Sequence, residues 1–161
     1  MNLAETLQQK LSEWRPAGED RPSTIVELPD HGWSVRFAST KVDTLGCALT
    51  EIEAVRANSI ADDAAKLEAH ASKVASRVTG LLEPLRLVEV DRARNIAILR
   101  SDAPRTRGTD VLFYEVVYTG LNRVSVRRFT ATKLSPAHRE PIEYILTHEV
   151  IGKLVDDLVR D

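Results

Sequence analysis

The chain has one cysteine, four histidines, seven glycines and no long apolar run in its 161 residues. A lone Cys47 excludes an intramolecular disulfide and fits a reducing compartment. Crossing a bilayer takes about 20 consecutive apolar residues, far more than any run here, so no membrane role is expected. Residues 1–5 lack the basic and apolar regions of a signal peptide, and a cytoplasmic location is the expectation. None of the glycines forms a GxGxxG or P-loop signature, and no GxSxG elbow occurs. The sequence therefore offers no cofactor loop and no nucleophile elbow.

Histidine chemistry is equally thin. His148-Glu149 resembles the start of a zincin helix, but the second ligand would fall at position 152, which is Gly152. His148 then reads as a surface residue near a helix cap, His70 as a partly buried helix flank, and His31 and His138 as turn and loop residues. Cys47, between Leu45 and Leu49, reads as a small hydrophobe with a raised thiol pKa. The carboxylate pair Asp62-Asp63 suits a helix N-terminus, and Glu51 with Glu53 suits the solvent face of a strand. The expectation is no catalytic residue, no metal and no cofactor.

What the chain does have is patterned hydrophobicity at globular proportions, with 43% apolar and 29% charged residues. Ile60, Ala64, Leu67, Ala71, Val74, Val78 and Leu81 keep an unbroken alternation of four and three, one stripe down a helix. This predicts a central helix over 59–79, capped at Ser59, stopped by Gly80 as C′ residue and by Pro84. The shallow alanines favour packing on the protein's own sheet over a coiled coil. Upstream, Asn2 and Glu5 form a capping box for a helix over 2–14, whose narrow stripe Leu3, Leu7, Leu11 and Trp14 covers a core edge. A polar connector follows at 16–22, then a three-stranded antiparallel meander over 24–55. Its parity breaks near Thr50, where either a β-bulge shifts the register or the strand ends.

Beyond Pro84 the period is that of strands. Segments 85–91 and 95–100 form a hairpin, 101–110 is a polar loop, and 111–118 is apolar on both faces as a central strand is. Segment 123–131 follows, 133–140 is a loop, and 141–146 is a last short strand. Thr147 caps a final helix to residue 160, with Val150, Ile151, Leu154, Val155, Leu158 and Val159 on its apolar face. The result is a single α+β domain over 1–161 in the order α-βββ-α-ββββ(β)-α, a mainly antiparallel sheet packed by helices.

Charge is distributed unevenly. Residues 1–84 carry 9 basic and 13 acidic side chains, 85–139 carry 11 and 5, and 140–161 carry 2 and 6. Ten of the eleven basic residues in the middle block are arginine, whose fork suits carboxylate and phosphate. Arg105, Arg107, Arg123 and Arg127 are the candidate contacts for an anion or an acidic partner, and Arg100 could join Arg123 and Arg127 on one face. The alternative is a set of solvated strand arginines in a chain that prefers Arg to Lys throughout. Nucleic acid is disfavoured, because the chain is acidic overall and the arginine strand lacks interleaved aromatics apart from Phe129.

With helices at 2–14, 59–79 and 147–160 and a meander at 24–55, the element order resembles that of the type III secretion chaperones. The resemblance implies a small cytoplasmic protein that dimerises and holds an unfolded client segment along its surface. It is one of order only: the strands between 95 and 131 are extra, the C-terminal half is arginine-rich, and no site residues transfer. The expected function is a non-enzymatic protein-interaction module, chaperone-like or adaptor-like, working as a homodimer. The alternative is an enzyme or small-ligand binder using the arginine-rich β surface for an anionic substrate. A buried pocket lined by Arg and by Tyr114 or Tyr118 favours the alternative, and an exposed groove favours the module.

Overall fold

Capping chemistry opens the chain as expected. Asn2 Oδ1 accepts the Glu5 N–H at 2.8 Å and the Glu5 carboxylate accepts the Asn2 N–H at 3.1 Å, starting α1 (Leu3–Ser12). The computed structural model describes every residue except Glu19, which lies in the 16–22 connector, and leaves the side chains of Pro136 and Ala137 outside the description. Three strands follow, β1 (Ser23–Leu28), β2 (Trp33–Val42) and β3 (Gly46–Arg56), paired as an antiparallel meander. The register shifts where Glu51 pairs Ala38 and Leu49 pairs Ser39, so Thr50 is the bulged residue. Because the bulge restores the parity, Cys47, Leu49, Ile52 and Ala54 all reach the core.

The central helix α2 is shorter than its apolar stripe. It spans Ala64–Arg77, with Asp63 as N-cap accepting the Lys66 N–H at 3.1 Å. Ser59 does not start it, because Asn122 brackets Ile60 instead, accepting its N–H at 2.8 Å and donating to its C=O at 2.9 Å. Ile60 is accordingly exposed, while Val78 and Leu81 stay buried beyond the helix end. Gly80 is no left-handed C′ residue; Leu82 takes the positive φ, 59°, and is 91% exposed.

Seven strands then precede α3 (His148–Val159): β4 (Leu85–Asp91), β5 (Ile96–Ser101), β6 (Arg105–Arg107), β7 (Asp110–Thr119), β8 (Arg123–Thr132), β9 (Ser135–Ile142) and β10 (Tyr144–Thr147). Two expected loops thus contain strands. β6 pairs the first three residues of β7, and β9 pairs the end of β8 with Pro141 opposite Phe129, an edge position where proline withholds no ladder bond. The sheet runs β1-β2-β3-β8-β7-β5-β4, all neighbours antiparallel, with β6, β9 and β10 as side branches.

The alternate residues that face the helices, among them Phe37, Leu49, Ile52, Leu99, Val116 and Val126, form one apolar cluster with the buried stripes of all three helices. The three helices therefore share one face of the sheet. Leu7 and Leu11 are completely buried, so α1 fills core rather than covering an edge, pressed between β1 and α3. The crossing is close: a Cβ on Gly152 would lie 2.5 Å from the Ala4 carbonyl oxygen. That contact accounts for a glycine inside α3, where alanine would gain about 1 kcal/mol of helix propensity. Enclosed on both sides, α3 also buries His148, which the sequence placed at the surface, and Asp157, which lies off the apolar face. Among the described residues no helix is long and apolar enough to cross a membrane.

Candidate functional site

The helix-free face of the sheet receives Arg100, Arg123 and Arg127 together, but their charges are spoken for. Strand pairing lays β3 against β8, so the glutamates of the acidic first half meet the arginines of the basic second half. Glu51 holds both Arg36 and Arg127, the latter at 2.5 Å, and Glu53 lies 3.7 Å from Arg123. Glu115 holds Arg100 at 2.7 Å and Arg139 at 2.5 Å, while Arg139 also stacks over the Phe129 ring at 3.9 Å. Burial alone would raise the Glu115 pKa, but hydrogen bonds from Arg139 and Arg100 outweigh it and keep the carboxyl below its ordinary value. Glu51 and Glu53 are thus not a bare solvent pair, and on this face each of five arginines has a carboxylate partner, with three glutamates shared among them.

Arg105 and Arg107 go elsewhere. Their strand β6 pairs Leu112 and Asp110, whose side chains lie on the helix side, and both arginines line a cleft of about 690 Å³. The four candidate arginines therefore do not gather; they divide two and two between opposite faces. The cleft lies where the sheet forks. β3 pairs β8 over Ile52–Val55 but β10 over Gly46–Leu49, while β8 beyond Arg127 turns to β9. Residues 142–146, at the apex of the fork, form one wall, residues 80–83 after α2 form another, and Leu112, Tyr114, Arg128 and Thr130 form the floor.

Polar groups grade from rim to floor. Arg105 and Arg107 are exposed and, among the described residues, have no ion-pair partner, although the carboxylates of Asp110 and Glu143 line the same cleft. Arg128, directly opposite Tyr114 in the ladder, is buried with its guanidinium 4.2 Å over the Tyr114 ring and 2.9 Å from Glu83. Its Nη1 and the Glu83 Oε1 have no hydrogen-bond partner in the protein. Tyr144 meets the Tyr114 ring edge-on at 5.5 Å and donates its hydroxyl to the Val126 C=O at 2.7 Å. Burial raises the Tyr114 pKa, so its phenol stays protonated at neutral pH. Leu82 and Ile145, both strongly exposed, make the rim apolar and the site an open cleft. Tyr118 takes no part; its hydroxyl is bonded to the Leu158 C=O in the core.

Arg128, Glu83 and Tyr144 were missed in the sequence. One signal existed for Arg128: two adjacent arginines in a strand must point to opposite faces, so pairing Arg127 outward sends Arg128 in. Nothing local marks Glu83 as its partner, since the two meet only in the folded chain.

The remaining chemistry-bearing residues are structural. Burial pushes the Cys47 thiol up to about 11. His70 donates from Nε2 to the Leu158 C=O at 2.9 Å and packs edge-on against Tyr118. His148 is buried rather than a surface residue, and its Nε2 has no partner. Among the described residues no three His, Cys, Asp or Glu side chains are placed to share a metal ion.

Burial lowers the pKa of both His70 and His148, so the fold holds each as the neutral imidazole. An unfolded histidine near 6.5 binds its proton first, so the contribution is complete above that pH and is lost as pH falls toward the folded pKa. Urea midpoints are expected to drop between about pH 7.5 and 5.5, with a flatter dependence in His148→Gln. A midpoint that does not change over that range would show that neither imidazole is held neutral.

No family model matches the chain, and neither a curated protein nor a solved structure matches it.

Proposed function

We propose that the protein is a non-enzymatic binding module, chaperone-like or adaptor-like, whose forked cleft receives an acidic segment of a protein partner. The observation that carries this reading is the pair Arg105 and Arg107, exposed on the rim of an open cleft and, among the described residues, without an ion pair, while the arginines of the other face each have a carboxylate partner. Guanidinium forks take carboxylates bidentately, and exposed charge steers an anionic partner into place. The exposed Leu82 and Ile145 add apolar contact beside the charge. Homodimer formation, which the resemblance to the secretion chaperones implies, belongs to the same proposal. A second reading, a small anionic ligand, draws on the Tyr114 and Arg128 floor and the unpartnered Arg128 Nη1.

The test uses a fluorescein-labelled peptide alternating glutamate and valine over about seven residues, read by anisotropy across a salt series. Binding to the native protein is expected to weaken as salt rises. Replacing Arg105 and Arg107 together with serine should cost roughly tenfold in affinity and flatten the salt slope. Arg123→Ser with Arg127→Ser should change little. Equal loss in both pairs of variants would return the site to the open face, and binding of succinate or inorganic phosphate with no binding of the peptide would favour the small-ligand reading.

A further inference from the structure

Sheet edges are where a fold either invites or refuses another strand. Among the described residues five strands present an edge, and three are defended. β9 carries Pro141, β4 is bulged at Val88 between charged Arg86 and Glu89, and β6 is three residues long with an arginine at each end. β1 is partly covered, its Glu27 carbonyl accepting the Lys10 ammonium at 3.0 Å. β10, although only four residues long, has no proline, bulge, charge or covering side chain: Tyr144, Ile145, Leu146 and Thr147 are uncharged, and Ile145 is 75% exposed beside Leu45 at 76%.

The hydrogen-bond phase of β10 follows from its ladder. His148 N–H donates to the Leu45 C=O at 2.9 Å, and in an antiparallel pair the bonded residues alternate. Tyr144 and Leu146 therefore face β3, and the N–H and C=O of Ile145 point away from it. The edge they point from borders the cleft, whose opposite part holds Arg105 and Arg107. We infer that β10 is a strand-addition site: an extended acidic segment of a protein partner pairs its main chain with Ile145 and presents carboxylates to Arg105 and Arg107.

This rests on the cleft being the binding site and adds how the partner is held. Main-chain bonds supply affinity without sequence demands, and the alternation of side chains sets the selection. One face of the added strand meets the Tyr114 and Leu112 floor, and the arginine charge favours Asp or Glu in the segment. A four-residue pairing spans about 13 Å at roughly 3.3 Å per residue, which matches the length of β10.

The experiment compares two probes on the full-length, isotope-labelled protein: the glutamate–valine peptide, and the same peptide N-methylated at alternate residues in each of the two registers. Free protein is expected to show rapid exchange at the Ile145 amide, and the parent peptide to protect it. One methylated register should lose at least tenfold in affinity while the other binds as the parent does. Equal binding of both methylated peptides, with the Arg105 and Arg107 variants still weakened, would overturn strand addition and leave the cleft reading intact. No binding of any probe would overturn both. Protection of Ile145 in peptide-free protein that vanishes on dilution would show a second copy on this edge, and the inference would fall.

Discussion

Glu83→Gln is expected to cost about 3–5 kcal/mol of stability, because it leaves the Arg128 cation buried without its counter-ion. Both side chains are close to nine-tenths enclosed, and the guanidinium packs over the Tyr114 ring at 4.2 Å. Attraction within a buried pair roughly offsets the desolvation of both partners; removing one partner leaves only the penalty. The double variant Glu83→Gln with Arg128→Met should therefore recover most of the loss, an apolar chain of similar length filling the space over Tyr114. Urea denaturation of the two single variants and the double variant reads the coupling directly. A loss below about 1 kcal/mol in Glu83→Gln would mean that water reaches Arg128 and that the floor of the cleft is not dry.

Leu67→Ala should cost roughly 2–5 kcal/mol, the range for emptying a fully buried leucine site. Leu67 is 1% exposed on α2, in the same apolar cluster as Val74, Leu154 and Leu158. Leu82→Ala, on a residue 91% exposed, should move stability by less than about 0.5 kcal/mol. A loss under about 0.5 kcal/mol at Leu67 as well would deny that the α2 stripe is core and favour a helix pairing outside the domain.

Local rules made much of the fold legible. The Asn2–Glu5 capping box, the Thr147 cap and the parity break at Thr50 each depend on a few neighbouring residues, and each appears in the structure. The failures have a common cause in contacts between distant segments. The start of α2 moved because Asn122, on the β7–β8 turn, holds Ile60 with two hydrogen bonds. Strands β6 and β9 read as loops because short polar segments become strands only when a neighbour such as β7 or β8 offers an edge. Burial of His148 and Asp157 followed from α1 and α2 both packing against α3, with Arg77 of α2 bonded to the Asp157 C=O, which an amphipathic pattern cannot announce.

The candidate site was half legible for the same reason. Counting charge by segment treats sequence neighbours as spatial neighbours, but Arg127 meets Glu51 across 76 residues and shares its carboxylate with Arg36. The excess of arginine in residues 85–139 therefore did not add up to one cationic patch. Arg105 and Arg107 form no ion pair among the described residues because β6 pairs β7 alone, and Asp110 opposite Arg107 and Glu143 across the cleft stay beyond ion-pair distance. The cleft itself is made by the fork between β3 and β8, and no local pattern records a fork.

Chemical-shift mapping of the labelled protein with the glutamate–valine peptide tests the central claim most directly. If the cleft is the binding site, the perturbed amides are those of Arg105, Arg107, Tyr114, Arg128 and Ile145, and those of Arg36, Arg123 and Arg127 hold their positions. Perturbations confined to Arg36, Arg123 and Arg127, with the cleft silent, would place binding on the helix-free face and contradict the account.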